Sequence, residues 1–280
     1  MRLVTYKANG RVSYGAVVDG GVVDLAKRLP HASLKALLAA GAIPDATRAV
    51  AGQTADVKLD AIVFLPPIPD PDKIICIGLN YDEHRKETGR EKTAYPTLFT
   101  RFADTQVGHG QALVKPKSTS QFDYEGELAI VIGKRGRHVP KERALEYVAG
   151  YSCYHDGSVR DWQSHTTQFV PGKNFPATGG FGPWLVTADE IPDPSKLTLA
   201  TRLNGQEVQR AGTDMMIFPI PELIAYITAF TELMPGDVIP TGTPSGVGSR
   251  RNPQLFMKPG DIAEVEISGV GTLKNPVIGE

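Results

Sequence analysis

The sequence of 280 residues lacks the features of several large protein classes. It has only two cysteines, Cys76 and Cys153, so a disulfide framework is excluded. Each cysteine lies in an apolar stretch typical of a strand, which predicts two buried free thiols in a reducing compartment. No apolar run approaches the length of a membrane span, and residues 1–7 lack the apolar core of a signal peptide. We therefore expect a cytoplasmic protein with no membrane segment.

An excess of charge of one sign is also missing. The chain has 30 Lys and Arg against 31 Asp and Glu, a formal net charge of -1. No basic cluster with interleaved aromatic residues occurs, so we expect no nucleic-acid partner. Hydrophobic residues make up 41% of the chain and charged residues 22%, which is ordinary for a packed globular protein.

Proline clustering predicts a division of the chain near residue 70. Four prolines lie between residues 65 and 71, where they exclude both a helix and a central strand. Residues 1–70 are predicted to form a small N-terminal domain. Within it, Asp-Gly-Gly at residues 19–21 indicates a hairpin turn, and Ser33 is predicted to cap a short helix that ends at Gly41. Residues 71–280 form the larger predicted domain.

Short apolar runs separated by Gly and Pro fill the larger domain and predict strands. One helix is predicted, with Pro221 in its first turn and Pro235 beyond its end. Strands that do not alternate regularly with helices favour a mixed α/β, β-rich fold with a mixed or antiparallel sheet, rather than a doubly wound one. The predicted strands cover residues 73–77, 127–132, 148–154, 184–186, 198–203, 237–239 and 262–267.

Two acidic residues begin one of these strands. Glu125 and Glu127 are two residues apart, so their side chains share a strand face that continues into Ala129 and Val131. Two like charges at the end of an apolar face repel each other and lose solvation, and a hard divalent cation relieves both penalties. The alternatives are a solvated strand end and neutralisation of the pair by basic residues.

Asp156 follows another apolar strand directly. A carboxylate at the end of a rigid strand suits a metal ligand, although Asp is also a favoured helix cap. His155 lies on the opposite face by strand alternation, so we interpret it as a packed histidine or one that supports a ligand.

A charged segment after residue 78 holds a possible acid–base pair. His84 and Glu87 are three residues apart and can touch on one helical turn. A carboxylate beside an imidazole orients it and suits a general base, although a surface ion pair is the alternative. Gly89 and the surrounding charges indicate a mobile lid near residues 80–95.

The glycine-rich segment 241–248 lacks the features of a nucleotide-binding loop. No Lys follows its glycines and no clear helix comes after it. An ordinary turn, or a nest of backbone amides that contacts a small carboxylate, is predicted instead.

These segments together resemble the fumarylacetoacetate hydrolase superfamily over roughly residues 72–280. The resemblance rests on an ordered set of motifs. They are Gly-Leu-Asn-Tyr at residues 78–81 with His84 and Glu87, Tyr-Glu-Gly-Glu-Leu at 124–128, Asp156 with Arg-Asp-Trp-Gln at 160–163, Gly-Lys at 172–173, Gly-Pro-Trp-Leu-Val at 182–186, Asn-Gly at 204–205, and Thr-Gly-Thr-Pro-Ser-Gly-Val-Gly at 241–248.

The resemblance implies a mixed β-sandwich roll, often homodimeric, whose larger domain is catalytic and binds Mg²⁺ or Mn²⁺. It places the metal ligands at Glu125, Glu127 and Asp156. It assigns a catalytic dyad to His84 and Glu87, and a lysine that reaches the substrate or its oxyanion to Lys173. Gln163 and Thr243 match substrate-contacting positions.

The chain departs from the common family pattern at three places. His155 stands where Asn is common before the third ligand, and Arg101 stands where Lys is common. Because a guanidinium can hold a carboxylate through two hydrogen bonds, Arg101 is predicted to contact the substrate and to alter its choice. Residues 174–180 also differ, and we expect them with Arg101 to shape the substrate pocket.

The resemblance implies a hydrolase that cleaves a C–C bond in an acylpyruvate or fumarylpyruvate, as in aromatic catabolism, with a pocket that extends past the metal. Decarboxylation of an oxaloacetate-type acid, or keto–enol isomerisation, is the alternative on the same site. A binding module with a structural cation is the alternative of another class. A closed structural site would not need the pair of His84 and Glu87.

Overall fold

Strands dominate the computed structural model, which describes residues 1–280. The strands are β1 (Arg2–Ala8), β2 (Arg11–Val18), β3 (Gly21–Asp24), β4 (Val57–Lys58), β5 (Val63–Phe64), β6 (Ile74–Gly78), β7 (Thr97–Arg101), β8 (Gln106–Val107), β9 (Leu113–Lys115), β10 (Phe122–Asp123), β11 (Gly126–Ile132), β12 (Val148–His155), β13 (Ser158–Val159), β14 (Gly179–Thr187), β15 (Thr198–Leu203), β16 (Gln206–Gly212), β17 (Val238–Pro240), β18 (Ile262–Ile267) and β19 (Gly271–Gly279). The helices are α1 (Leu34–Ala39), α2 (Ile43–Val50), α3 (Asp82–Glu87), α4 (Arg160–Gln163), α5 (Val170–Lys173) and α6 (Ile220–Phe230).

Two large sheets and one small one organise these strands. The largest has 12 strands in the order β4-β3-β2-β1-β14-β12-β11-β17-β6-β7, with β5 on β1 and β8 on β14. A 5-stranded sheet has the order β16-β15-β18-β19-β9, and β10 pairs with β13. Most pairings are antiparallel, but β6 with β17, β8 with β14 and β9 with β19 are parallel. The prediction of a mixed, strand-rich α/β fold is confirmed.

The central strand β11 is buried on both faces, which explains its nearly continuous apolar sequence. Leu128 and Ile130 pack in a core of 27 buried residues that includes side chains of α6 and of the 5-stranded sheet. Ala129 and Val131 point the other way, into a core of 20 buried residues with side chains of α1. The polar site begins where this apolar strand begins.

The N-terminal residues join the same large sheet. Strand β1 pairs antiparallel with β14, with Arg2 opposite Val186. The predicted hairpin is present as β2 and β3, and Ser33 accepts a hydrogen bond from the Ala36 amide at the start of α1. The two predicted domains, residues 1–70 and 71–280, therefore share one sheet, and the division into two domains remains a prediction.

Most predicted elements are found with shifted ends. Strands β15 and β18 have the predicted bounds, and α6 carries Pro221 in its first turn. Strand β14 begins five residues before its prediction because Gly179, Gly180 and Gly182 interrupt the apolar pattern there. Helix α2 was not predicted. No helix has both the length and the apolar character needed to cross a membrane.

Candidate active site and metal centre

Three buried carboxylates converge at one end of β11 and β12. The antiparallel register places Glu127 opposite Tyr154, and the Asp156 amide donates to the Glu125 carbonyl at 2.8 Å. Glu125, Glu127 and Asp156 are 4%, 1% and 0% exposed, and one oxygen from each lies within 4.8 Å of the others. The predicted convergence of these side chains is therefore present.

Basic side chains neutralise two of the three carboxylates. The Lys173 ammonium lies 2.6 Å from both Glu125 Oε2 and Asp156 Oδ2. Arg160 Nη2 lies 2.7 Å from Glu125 Oε1, and Arg101 Nη1 lies 2.6 Å from Asp156 Oδ1. Both oxygens of Glu125 and of Asp156 thus have a cationic neighbour.

Glu127 differs because it forms no ion pair. Its Oε2 accepts one hydrogen bond, from the Gly242 amide at 2.8 Å. Burial, with the nearby charges of Asp156 and Glu125, raises the pKa of Glu127 well above its ordinary value. Burial also opposes ionisation of Glu125, but Arg160 and Lys173 outweigh it and lower the pKa of Glu125. The site therefore contains one buried carboxylate without a compensating charge.

The three carboxylates fit a hard divalent cation. Oxygens on opposite sides of such an ion lie at most roughly 5.2 Å apart, twice the upper bond length of ~2.6 Å, and the three carboxylate oxygens lie within 4.8 Å of one another. With Asp123, which pairs with Arg160, the cluster has four carboxylates against three basic groups, Arg101, Arg160 and Lys173. A bound cation would supply the positive charge that Glu127 lacks. Because Lys173 contacts two of the same three carboxylates, an incoming ion would share these groups with its ammonium.

Arg101 lies beneath the carboxylates rather than in contact with open space. Its side chain is 0% exposed, and its Nη1 and Nη2 donate to Asp156, to the Gly157 carbonyl and to the Thr178 hydroxyl. This position differs from the one predicted for a substrate contact, because the side chain is fully buried and does not line the cavity above the carboxylates. Arg101 instead orients Asp156.

This position predicts a large difference between two substitutions of Arg101. Arg101→Met leaves the buried Asp156 with Lys173 alone and should lower the free energy of unfolding by about 3–5 kcal/mol, as for other broken buried pairs. Arg101→Lys keeps the charge and should cost distinctly less. Urea unfolding of both variants in EDTA measures this. Equal stability of the two variants would contradict the proposed role of Arg101.

His84 and Glu87 form the predicted pair on the short helix α3. His84 Nδ1 lies 2.7 Å from Glu87 Oε1, and the imidazole is buried. The Gly246 amide donates to Glu87 at 3.0 Å, so the carboxylate is held from both sides. The surface ion-pair alternative does not describe this buried arrangement.

Backbone amides of residues 242–249 bind three carboxylates of the protein itself. Gly242 donates to Glu127 and Gly246 donates to Glu87, while Gly248 and Ser249 donate to Asp123 at 2.8 and 2.9 Å. Gly242 and Gly246 have φ values of +104° and +101°, and a Cβ on Gly246 would lie 2.3 Å from the Val208 carbonyl oxygen. The amides of this segment thus bind three side chains of the protein itself, whereas the nest interpretation predicted contact with a small carboxylate.

His155 is fully buried and packed, as one of its two interpretations predicted. Neither ring nitrogen has a hydrogen-bond partner. Burial, followed by the charge of Arg101, lowers the pKa of His155 to about 4, so the imidazole is neutral. It lies against Gly157 and Gly180 and donates no hydrogen bond to the carboxylate cluster.

A cavity of about 410 Å³ opens above the carboxylates. Six of the predicted site residues line it: His84, Glu125, Glu127, Gln163, Lys173 and Thr243. Arg101, Glu87 and Asp156 stand behind its wall: Glu87 and Asp156 contact the lining residues His84 and Lys173, and Arg101 contacts Asp156. The cavity continues outward to Arg90 and Arg250, so it reaches past the carboxylates as predicted.

Three arginines at the cavity were not predicted as site residues. Arg160, on α4, bridges Asp123 and Glu125 and donates to Gln163. Its position beside Asp161, in the Arg-Asp-Trp-Gln motif, is the sequence feature that could have identified it. Arg90 and Arg250 carry no sequence signal, because they come from loops 160 residues apart. Both side chains are exposed, and neither guanidinium group forms an ion pair or a hydrogen bond within the protein.

The chain is similar to known proteins over nearly its whole length. Residues 73–278 match the family described as fumarylacetoacetate (FAA) hydrolase, C-terminal. The rat protein "Oxaloacetate tautomerase Fahd2a, mitochondrial" is 38% identical, over 99% of this chain and 92% of its own length. Fumarylacetoacetate hydrolase of Exiguobacterium antarcticum is 33% identical, with a TM-score of 0.85 and full coverage of both chains. Maleylpyruvate hydrolase of Sphingobium sp. SYK-6, solved with manganese (II) and pyruvate, is 28% identical, with a TM-score of 0.84 over 100% of this chain and 99% of its own.

Proposed function

The chain belongs to the fumarylacetoacetate hydrolase family, and from this premise we propose that it is a divalent-metal-dependent enzyme acting on a small 2-oxo acid. Family members include hydrolases and tautomerases. The observation that carries the proposal is the buried, uncompensated carboxylate of Glu127, which lies beside two further carboxylates at the floor of an open cavity. A cavity above the cluster also argues against the alternative of a closed structural cation in a binding module.

Glu125, Glu127 and Asp156 would hold Mg²⁺ or Mn²⁺. The bound ion would supply a Lewis acid for the carboxylate and oxo oxygens of the substrate. The solved relative with manganese and pyruvate supports this choice of ion and of oxo acid. Gln163 and Thr243, which line the same cavity, are proposed to contact the substrate.

His84 is proposed as the group that moves the proton. Its Nδ1 is engaged by Glu87, so Nε2 is the ring nitrogen left for a group in the cavity. Nε2 can take a proton from the carbon beside the 2-oxo group, and a proton returned to the oxo oxygen completes an enol. The contact with Glu87 fixes both the tautomer and the orientation of the ring.

Lys173 is proposed to stabilise the negative charge that develops on the substrate. Burial opposes its ionisation, but Asp156 and Glu125 outweigh burial and raise the pKa of Lys173, which keeps it protonated. An ammonium has three N–H donors, and two of them meet Glu125 and Asp156. The third remains for a substrate oxygen.

We propose keto–enol tautomerisation of an oxaloacetate-type acid as the reaction. It needs one proton-transfer group opposite the carboxylates, which His84 supplies, and the rat relative carries that activity in its name. The second candidate is C–C hydrolysis of an acylpyruvate or fumarylpyruvate. The extension of the cavity past the carboxylates favours it, because an acyl chain would need that space, and His84 would then activate water.

The outer cavity is suited to a second negative charge. Lys173 and Arg160 are committed to protein carboxylates, whereas Arg90 and Arg250 are not. Among the carboxylates that line the cavity, Asp161 is the outer one, and its Oδ1 is engaged by the Thr119 hydroxyl at 2.7 Å. We therefore propose that the substrate is a 2-oxo dicarboxylate whose distal carboxylate meets one or both free arginines.

Arg250→Gln should lower kcat/KM for oxaloacetate by about tenfold, the low end for a hydrogen bond to a charged group, because the guanidinium is exposed. The 4-ethyl ester of oxaloacetate lacks the distal charge and should react equally with both proteins. Arg48→Gln, which removes an exposed charge paired only with Asp45, serves as the matched control. An equal loss on acid and ester would contradict the assignment.

A panel of substrates on one preparation separates the two candidate reactions. Enol loss from oxaloacetate, pyruvate release from acetylpyruvate and fumarylpyruvate, and decarboxylation of oxaloacetate are measured with Mg²⁺ and with Mn²⁺. We expect tautomerisation to have the largest kcat/KM. A tenfold preference for cleavage of an acylpyruvate, about 1.4 kcal/mol in transition-state binding, would instead select the hydrolase. No metal-dependent reaction with any of them would contradict the proposed function.

The homodimer, the cytoplasmic compartment and a role in aromatic catabolism remain predictions. The name of the rat relative states a mitochondrial location for that protein.

A further inference from the structure

Gln209 connects the two segments that form the site, although it lies on a different sheet. It belongs to β16, at the edge of the 5-stranded sheet, and is 2% exposed. Its Oε1 accepts from the Gly126 amide at 3.0 Å, between the carboxylates of Glu125 and Glu127. Its Nε2 donates to Thr243 Oγ1 and to the Pro244 carbonyl, both at 2.8 Å.

The orientation of this amide is determined by its backbone partners. The Gly126 N–H can only donate, so it requires the oxygen of Gln209. The Pro244 carbonyl can only accept, so it requires the nitrogen. A flipped amide would break both contacts in the buried interior, at a cost for each unsatisfied polar group. The second N–H of Nε2 is therefore left for Thr243.

The bond from Gln209 determines what Thr243 can do. A hydroxyl group has one proton, and here its oxygen accepts from Gln209, so the proton must point elsewhere. The Thr243 hydroxyl donates to no acceptor within the protein, and its one hydrogen bond is the one it accepts from Gln209. Thr243 lines the cavity beside His84, Glu127 and Lys173. Its proton is thus free for a group in the cavity.

We propose that Gln209 is a positioning residue that makes Thr243 a dedicated hydrogen-bond donor to an anionic oxygen of the bound 2-oxo acid. The inference rests on the proposed function, because it takes a 2-oxo acid as the ligand. Since an accepted hydrogen bond polarises a hydroxyl, the donor is also strengthened. Gln209 itself is too deeply buried to touch the ligand and acts through Thr243.

Gln209→Glu tests the inference directly. A carboxylate still accepts from Gly126, but it has no N–H for Thr243, so the Thr243 hydroxyl turns to donate to it. Mn²⁺-dependent binding of oxalate, a planar dianion that resembles the enolate of a 2-oxo acid, should weaken about 10- to 100-fold. Mn²⁺ affinity without oxalate should not fall, because the coordinating side chains are intact. Gln206→Glu adds the same charge at an exposed position of β16 and should bind oxalate like the wild type.

The role of Thr243 is tested in the same assay. Thr243→Val should lose a similar factor, Thr243→Ser should bind oxalate like the wild type, and Gln209→Glu should cause no further loss in the Thr243→Val background. Undiminished oxalate binding by Gln209→Glu, or an equal further loss in the double variant, would overturn the inference. If Gln209→Glu does not fold, Gln209→Met is used, and its effect must likewise vanish without the Thr243 hydroxyl.

Failure of the underlying function is visible in the wild-type protein alone. It would appear as the absence of Mn²⁺-dependent oxalate binding, and the inference would then fall with it. Normal wild-type binding with no effect of Gln209→Glu would overturn the inference and leave the proposed function standing.

Discussion

Removal of the divalent cation with EDTA is expected to lower turnover by about 10³-fold or more, with recovery on addition of Mg²⁺ or Mn²⁺. A Lewis acid contributes several kcal/mol of charge stabilisation, and each 1.4 kcal/mol corresponds to a factor of ten. Steady-state assays before and after chelation measure the loss. Full activity in excess EDTA, in a preparation shown to contain no metal, would contradict the assignment.

Two amide variants test which carboxylates hold the ion. Glu127→Gln and Glu125→Gln each remove one charged ligand, so both should lose most of their Mn²⁺ affinity and activity. Glu266→Gln, which removes a half-exposed carboxylate on β18 that pairs with Arg202, should retain both. Titration followed by electron paramagnetic resonance gives the affinities. Wild-type Mn²⁺ affinity in Glu127→Gln would exclude that residue as a ligand.

The same two variants should shift metal-free stability in opposite directions. The pKa of Glu127 is raised in the folded protein, so above its unfolded pKa the buried carboxylate destabilises the fold, and Glu127→Gln removes that cost. The pKa of Glu125 is lowered, so its ionised form stabilises the fold over the same pH range. At neutral pH in EDTA, Tm should therefore rise for Glu127→Gln and fall for Glu125→Gln. Opposite signs would also exclude general misfolding as the cause of lost metal binding.

Replacement of His84 by Ala is expected to lower kcat by about 10²–10⁴-fold, the usual contribution of general acid–base catalysis. Metal affinity should change little, because His84 contacts Glu87 rather than the carboxylate cluster. Glu87→Gln should cause a smaller loss, since it disturbs the orientation of the ring but keeps it in place. Glu83→Gln, on the exposed face of α3, should behave like the wild type.

The relation between kcat and Mn²⁺ affinity decides the role of His84. A loss of kcat with unchanged Mn²⁺ affinity fits the proton-transfer role. Loss of Mn²⁺ binding in equal measure would mean that His84 supports the metal. An active His84→Ala protein would mean that another group carries out the proton transfer.

Local periodicity accounts for the parts of the structure that were predicted. Because Glu125 and Glu127 are two residues apart on a strand, their side chains share one face whichever strands pair with it. The position of Asp156 was predicted from the end of an apolar run. The three-residue spacing of His84 and Glu87 likewise suffices for their contact. Helix α6 was recognisable because four apolar side chains follow Pro221 at helical spacing.

Long-range pairing accounts for the parts that were missed. Arg101 was expected at the substrate because its type suggests carboxylate recognition, yet the carboxylate it meets is Asp156, 55 residues along the chain. Gln209 gave no signal, because it belongs to a different sheet from the residues it supports. The amides of residues 242–249 carry no side-chain identity at all, and only the folded backbone aims them at Glu87, Asp123 and Glu127.

Anomalous diffraction from crystals grown with Mn²⁺ and oxalate tests the central claim most directly. We predict one strong anomalous peak at ~2.0–2.6 Å from oxygens of Glu125, Glu127 and Asp156, with oxalate beside it, facing His84 and Thr243. A peak elsewhere, or no peak with Lys173 still bridging Glu125 and Asp156 at saturating Mn²⁺, would contradict the account.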